Sequence, residues 1–210
     1  MSTSPRKRSS ARGFTLIEVA LASFVLAVGI LSAGFLAGQM MIGTNRSKYM
    51  SVASTLASEK LEDLNRWDVD DPQICAPSSS TTAGSLTSDI NQTTACTQGA
   101  SANVSYYDDV YPNLADGTST CPDGTAGCFA ETVSSFAGTS HTYTTTVHSP
   151  TGTVQTTSSS TSPTGTSFHR RWIIEANSPA NGVRRITVLV SLTNSAIRPA
   201  VNFQMSIVRP

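Results

Sequence analysis

Charge is scarce in this chain and unevenly placed. Only 13% of the residues are charged, and none lies between Glu18 and Arg46. That excludes a solvated helix over this stretch and leaves an apolar run long enough to cross a bilayer, which takes about 20 helical residues. Proline is missing between Pro5 and Pro72, so no fixed backbone break interrupts a helix through residues 14–67. Lysine and arginine are missing from residue 67 to residue 169, which excludes a continuous basic surface from the middle of the chain. No CxxC spacing occurs among Cys75, Cys96, Cys121 and Cys128, and the three histidines lie elsewhere, which argues against zinc. There is no Gly-x-Ser-x-Gly elbow, so the abundant serines carry no hydrolase signature. Neither enzymatic activity nor a cofactor or bound metal is expected.

What is present begins with a basic leader. Arg6, Lys7, Arg8 and Arg12 all precede Phe14, and they balance an acidic remainder to a net charge of zero. Positive charge before an apolar span places the N-terminus in the cytoplasm and everything after Thr44 on the far side of the membrane. Ser32-Ala33-Gly34 has the small residues of a signal-peptidase site, but residues 35–42 continue the apolar run, against the order of a cleaved signal peptide. One carboxylate, Glu18, stands near the start of that run. A charge in a membrane helix is costly and is kept for a function, so Glu18 calls for a partner. All four cysteines fall on the exported side, where two disulfides are expected with three connectivities open; sequence proximity favours Cys121 with Cys128 and Cys75 with Cys96.

Past Thr44 the apolar residues thin to one face: Tyr49, Val52, Ala53, Leu56, Ala57, Leu61 and Leu64 recur at three- and four-residue steps. The pattern predicts one helix of roughly 80 Å, apolar all round at first and one-faced later. Gly29, Gly34, Gly38 and Gly43 in its apolar half suit either ordinary membrane-helix composition or close packing of helices and local melting. Glu59, Lys60, Glu62 and Arg66 read as a solvated face with local ion pairs.

Strands are predicted near the C-terminus, where alternation is clear. Residues 168–176 carry Trp172 and Ile174 on one face, and Ile186, Val188 and Val190 follow across a loop at 177–182. Pairing Ile174 with Ile186 and Trp172 with Val188 also sets Glu175 opposite Arg185, and a one-residue slip would break both matches. Val201, Phe203, Met205 and Ile207 form a further strand, residues 141–148 a threonine-rich fourth, and residues 103–107 a weaker fifth. Residues 73–140 otherwise read as loops, and residues 149–167, with 13 serines or threonines among 19 positions, as a disordered tract.

Two polar groupings suggest ligands. Asp70, Asp71, Asp108 and Asp109 could hold calcium, though no EF-hand spacing is present, and solubility is the plainer use. Arg170, Arg171, Arg184 and Arg185 gather across the predicted hairpin beside Trp172. Such a cluster suits nucleic-acid phosphates and bases, against a solvated role for the arginines and a structural one for the tryptophan.

Gly13-Phe14-Thr15-Leu16-Ile17-Glu18-Val19 resembles the processing motif of type IV prepilins and of the related pseudopilins of type II secretion. The resemblance implies cleavage after Gly13 by a prepilin peptidase, methylation of the new amine on Phe14, and a subunit-assembly role for Glu18 against a neighbour's N-terminal amine. It also implies the pilin fold: α+β, a long N-terminal transmembrane and amphipathic helix packed on a small C-terminal antiparallel sheet. Ala27-Val28-Gly29-Ile30-Leu31, the stretch Ala53-Ser54-Thr55-Leu56-Ala57-Ser58-Glu59-Lys60-Leu61-Glu62, and Arg170-Arg171-Trp172 look like the minor pilins called pilus modification proteins and like one minor pseudopilin. Many major pilins carry a proline in the first half of the helix and a C-terminal disulfide loop; this chain has neither, its last cysteine being Cys128.

The expected organisation is a leader at 1–13, a transmembrane half-helix at 14–43, an amphipathic half at 44–67, and a β-rich head with Ser/Thr-rich loops at 68–210. The expected function is that of a minor type IV pilin, held in the inner membrane and then in an extracellular pilus. Its expected partners are prepilin peptidase, other major and minor pilins, inner-membrane lipid and the assembly machinery. The alternatives are a minor pseudopilin and a tip adhesin or DNA receptor.

Overall fold

A computed structural model of the chain describes residues 15–77, 80–94, 102–112, 129–137, 140–148, 151–152, 154–193 and 200–210. The chain divides into two units, Met1–Asn45 and a head unit, Arg46–Pro210. Helix α1, Leu16–Arg66, contributes to both. In the first unit its apolar residues are exposed, Phe24, Leu31, Phe35 and Met40 among them, and the stretch is long and apolar enough to cross a membrane.

In the head unit the same helix presents a stripe. Ala53, Leu56, Ala57, Leu61 and Leu64 are buried at the helical spacing read from the sequence. They pack on strands of an antiparallel sheet, and the chain order explains how. The strands are β1 (Thr82–Gly84), β2 (Asn91–Thr94), β3 (Ala102–Ser105), β4 (Tyr107–Pro112) and β5 (Phe129–Ala137), then β6 (Ser140–His148), β7 (Val154–Ser159), β8 (Phe168–Ala176), β9 (Arg184–Leu192) and β10 (Asn202–Arg209). Eight of them form one sheet with the order β10-β9-β8-β4-β5-β6-β7, with β1 beside β8, while β2 and β3 pair separately.

The core gathers where alternation is strongest. Phe168, Trp172 and Ile174 of β8 and Ile186, Val188 and Val190 of β9 are buried against the helix stripe, and Phe203, Met205 and Ile207 of β10 pack at its margin. The register is the one the sequence predicts: Trp172 faces Val188, Ile174 faces Ile186, and Glu175 faces Arg185. One C-terminal arginine closes the helix end. Arg209 Nη1 donates to the carbonyls of Trp67 at 2.9 Å and Asn65 at 3.3 Å, satisfying carbonyls that a helix C-terminus leaves open and placing a cation at its negative end.

Three expectations are corrected. The sheet is larger than the small C-terminal one predicted, because β1 and β5 lie in a stretch read as loops and β7 in one read as disordered. The weak strand at 103–107 is two strands, β3 and β4, interrupted at Tyr106. The tract at 149–167 contains β7, an edge strand whose residues are all exposed. Threonine is β-branched and suits a strand, but a strand solvated on both faces offers no inside–outside contrast to read.

Gly84 is required where β1 meets β8. Its φ is +81°, and a Cβ there would overlap the Trp172 carbonyl oxygen and lie 2.7 Å from Tyr106 Cδ1. Gly84→Ala should therefore cost about 3 kcal/mol, from left-handed backbone and overlap together. Gly152, with φ +87° and open space around it, should cost about 1 kcal/mol as alanine. Urea midpoints of the full-length variants in detergent would check this; equal shifts would remove the packing argument.

Candidate functional site

Strand parity decides what the four arginines do. Arg170 lies on the helix-facing side of β8 with Trp172, and Arg184 shares the parity of Ile186 on β9, while Arg171 and Arg185 point to the opposite face. The expected cationic cluster is thus split between two faces. Arg170 is only 4% exposed. Its Nε and Nη2 donate to the two carboxylate oxygens of Asp108 at 2.7 and 2.9 Å, and Nη1 donates to the Leu56 carbonyl of α1 at 3.5 Å. Arg171 donates to Asp89 at 2.7 Å, and Arg185 makes a two-pronged bond to Glu175 at 2.6 and 2.9 Å. Arg184 donates to the Val69 carbonyl at 3.0 Å. The four arginines therefore do not share one face, and Arg170 is almost wholly withdrawn from solvent.

Two of the four acidic residues considered for calcium, Asp108 and Asp109, are engaged by cationic side chains. Asp108 is 5% exposed; burial pushes its carboxyl up, but Arg170 and Lys60 more than offset that and hold it below the usual carboxylate range. Lys60, expected on a solvated helix face, is instead folded in, 3.8 Å from Asp108, 3.6 Å from Asp63 and 4.2 Å from the centre of the Trp172 ring. Asp109 points to the other face and meets His169 Nδ1 at 2.6 Å, while His169 Nε2 meets Asp89 at 2.8 Å.

An imidazole between two carboxylates uses both ring nitrogens as donors, so His169 is a clamp, and no serine sits on either ring nitrogen among the described residues. Ser191 donates to the His169 backbone carbonyl instead, at 3.3 Å. The Asp109 hydrogen bond raises the His169 pKa, opposed by burial and helped by Asp89. Its contribution to stability is complete below the unfolded value and is lost as pH rises through the folded one. Thermal unfolding at about pH 6 and about pH 9 should show that loss, and His169→Gln should flatten it; an unchanged alkaline decline in the variant would refute the clamp.

Gly13 and Phe14, the expected cleavage and methylation positions, lie outside the described residues. Glu18 is described, and it has a partner within its own chain. Thr15 N and Thr15 Oγ1 each donate to Glu18 Oε2 at 2.9 Å, and Glu18 N donates to Thr15 Oγ1 at 3.4 Å. This is a reciprocal capping box, with Thr15 as cap and Glu18 in the first turn of α1. Both bonds to the carboxylate end on Oε2, and among the described residues no donor occupies Oε1. The Thr-x-x-Glu spacing was the signal in the sequence, hidden by reading Glu18 only as a membrane charge.

Residues 8–34 match the family model for the prokaryotic N-terminal methylation motif. The chain carries a type IV prepilin-like N-terminus. No curated protein and no solved structure matches it. The match supports a protein of the type IV pilin or pseudopilin type, and with the apolar helix it is consistent with membrane anchoring and a place in a pilus-type filament. Such proteins are generally structural rather than enzymatic. In this prepilin-like chain Cys75 is disulfide-bonded; Cys96, Cys121 and Cys128 lie outside the described residues.

Proposed function

We propose that this protein is a minor type IV pilin, made as a precursor, cut after Gly13 by prepilin peptidase and methylated on Phe14. It waits in the inner membrane with its N-terminus cytoplasmic and its head outside, then enters a pilus to prime assembly or to modify adhesion, motility or DNA uptake. The observation that carries this reading is the methylation motif at residues 8–34 running directly into an uninterrupted helix whose apolar half is unburied. Such a half-helix has lipid or sister helices as its natural surroundings. The absence of helix proline and of a cysteine beyond Cys128 supports a minor rather than a major subunit.

Intact-mass analysis of the protein from sheared filaments tests processing. The expected species lacks residues 1–13 and carries one methyl group on Phe14; an uncut Met1 leader in cells with working filaments would overturn the proposal. The pseudopilin alternative shares the same motif, and the chain's presence in secretion-system rather than pilus filaments would favour it.

A further inference from the structure

The large sheet ends openly at β7. This strand, Val154–Ser159, follows β6 as the last in the order, and among the described residues no strand lies beyond it. All of its residues are exposed. A strand turns alternate N–H and C=O groups to either side, so half of these backbone groups meet β6 and the rest face water. Such an edge is a ready template for another strand, and sheets ordinarily guard it with lysine, an inward-pointing charge, a proline or a bulge.

β7 carries none of those guards. No Asp, Glu, Lys or Arg occurs from residue 132 to residue 169, and the nearest prolines, Pro150 and Pro163, stand outside the strand. Its register with β6 is continuous, from Val154 opposite His148 to Ser159 opposite Tyr143, so no bulge twists the edge away. The residues also say which strand fits. Threonine is β-branched and suits a strand, and β7 is already held by threonine on its paired side, Thr156 opposite Thr146 and Thr157 opposite Thr145. A second β7, laid antiparallel about a two-fold axis between Thr156 and Thr157, repeats that chemistry on the open side. Across the two copies Thr156 then stands opposite Thr157, Gln155 opposite Ser158 and Val154 opposite Ser159, and no charge meets another.

We propose that β7 is a docking edge for a second copy of this chain, the two β7 strands pairing antiparallel so that one sheet runs through both heads. The same patch serves both partners, so the contact closes on itself as a two-fold pair. Two strands of this length bury far less than the roughly 1,000 Å² of a stable interface. The pairing is therefore weak and reversible, and it fills only where the local concentration of heads is high.

Amide hydrogen exchange on the full-length protein in detergent, at low and at high protein concentration, tests this. Amides of β7 should gain about tenfold or more protection at the higher concentration, with those of β8 and β9 unchanged. Thr156→Lys with Thr157→Lys sets like charges opposite one another and should abolish the gain, as should Thr156→Glu with Thr157→Glu. Mixing the two double variants should restore it, which misfolded heads could not do. Concentration-independent exchange of β7 in the unmodified protein would overturn the proposal. So would a gain that survives in either double variant, by showing that something other than β7 pairing protects the strand. A mixture no better protected than its components would overturn it as well, as would matching protection on β10, the mark of head-to-tail pairing between unlike edges.

Discussion

Asp108→Ala is expected to cost the head about 3–5 kcal/mol, the largest stability loss of any single side chain considered. The reason is what it leaves behind. Arg170 is 4% exposed and would keep its charge with one weak bond to the Leu56 carbonyl and no carboxylate hydrogen-bonded to it. Removing both partners together, as Asp108→Leu with Arg170→Met, should restore most of the loss, because the pair's attraction is largely offset by the desolvation of both ions. The urea midpoint of the full-length protein, followed by Trp67 and Trp172 fluorescence, measures both. A loss within about 1 kcal/mol for the single variant would mean that water reaches the pair and that it behaves as a surface bridge.

The pair also fixes a register. Asp108 is the direct cross-strand partner of Arg170, and Asp109 of His169. Successive strand residues point to opposite faces, so the dipeptide Asp108-Asp109 meets His169-Arg170 with one ion pair beneath the sheet and one above it. A one-residue slip of β4 would carry Val110 out of the apolar core to the opposite face of the sheet and break the His169 pairing.

The same parity shows what was legible in the sequence. Helix α1 and the β8–β9–β10 meander were readable because their apolar residues recur at helical or alternate spacing and one face of each is buried. Strand β6 was readable as a threonine-rich segment at 141–148, but β4, β5 and β7 were not, since threonine and serine on both faces give no contrast and buried Asp108 and Glu131 imitate surface residues. Arg170 and Arg171 looked like one cluster because they are neighbours in sequence, although neighbours on a strand must part. Lys60 looked solvated because the helix pattern says nothing of a tryptophan ring lying under its ammonium. At the N-terminus, Thr15 and Glu18 were three residues apart in plain view, and the helix start they make was readable from that spacing.

Glu18→Gln should reduce incorporation into filaments by at least about tenfold while leaving cleavage after Gly13 intact. Glutamine serves in a capping box as glutamate does, so the bonds from Thr15 N and Oγ1 to the Glu18 Oε2 position survive and the helix still starts at Leu16. What glutamine removes is charge. In the proposed assembly step Glu18 Oε1 meets the charged amine that cleavage creates on Phe14 of a neighbouring subunit, and an amine left without a counter-charge among apolar helices is strongly disfavoured. Glu18→Ala removes both the cap and the charge, so comparing the two variants separates the roles. Similar low incorporation of both in sheared filaments, with normal processing by mass, identifies the charge as the assembly contact. Wild-type incorporation of Glu18→Gln together with a defect in Glu18→Ala would instead assign Glu18 to the helix start alone, and the intersubunit pairing would have to be abandoned.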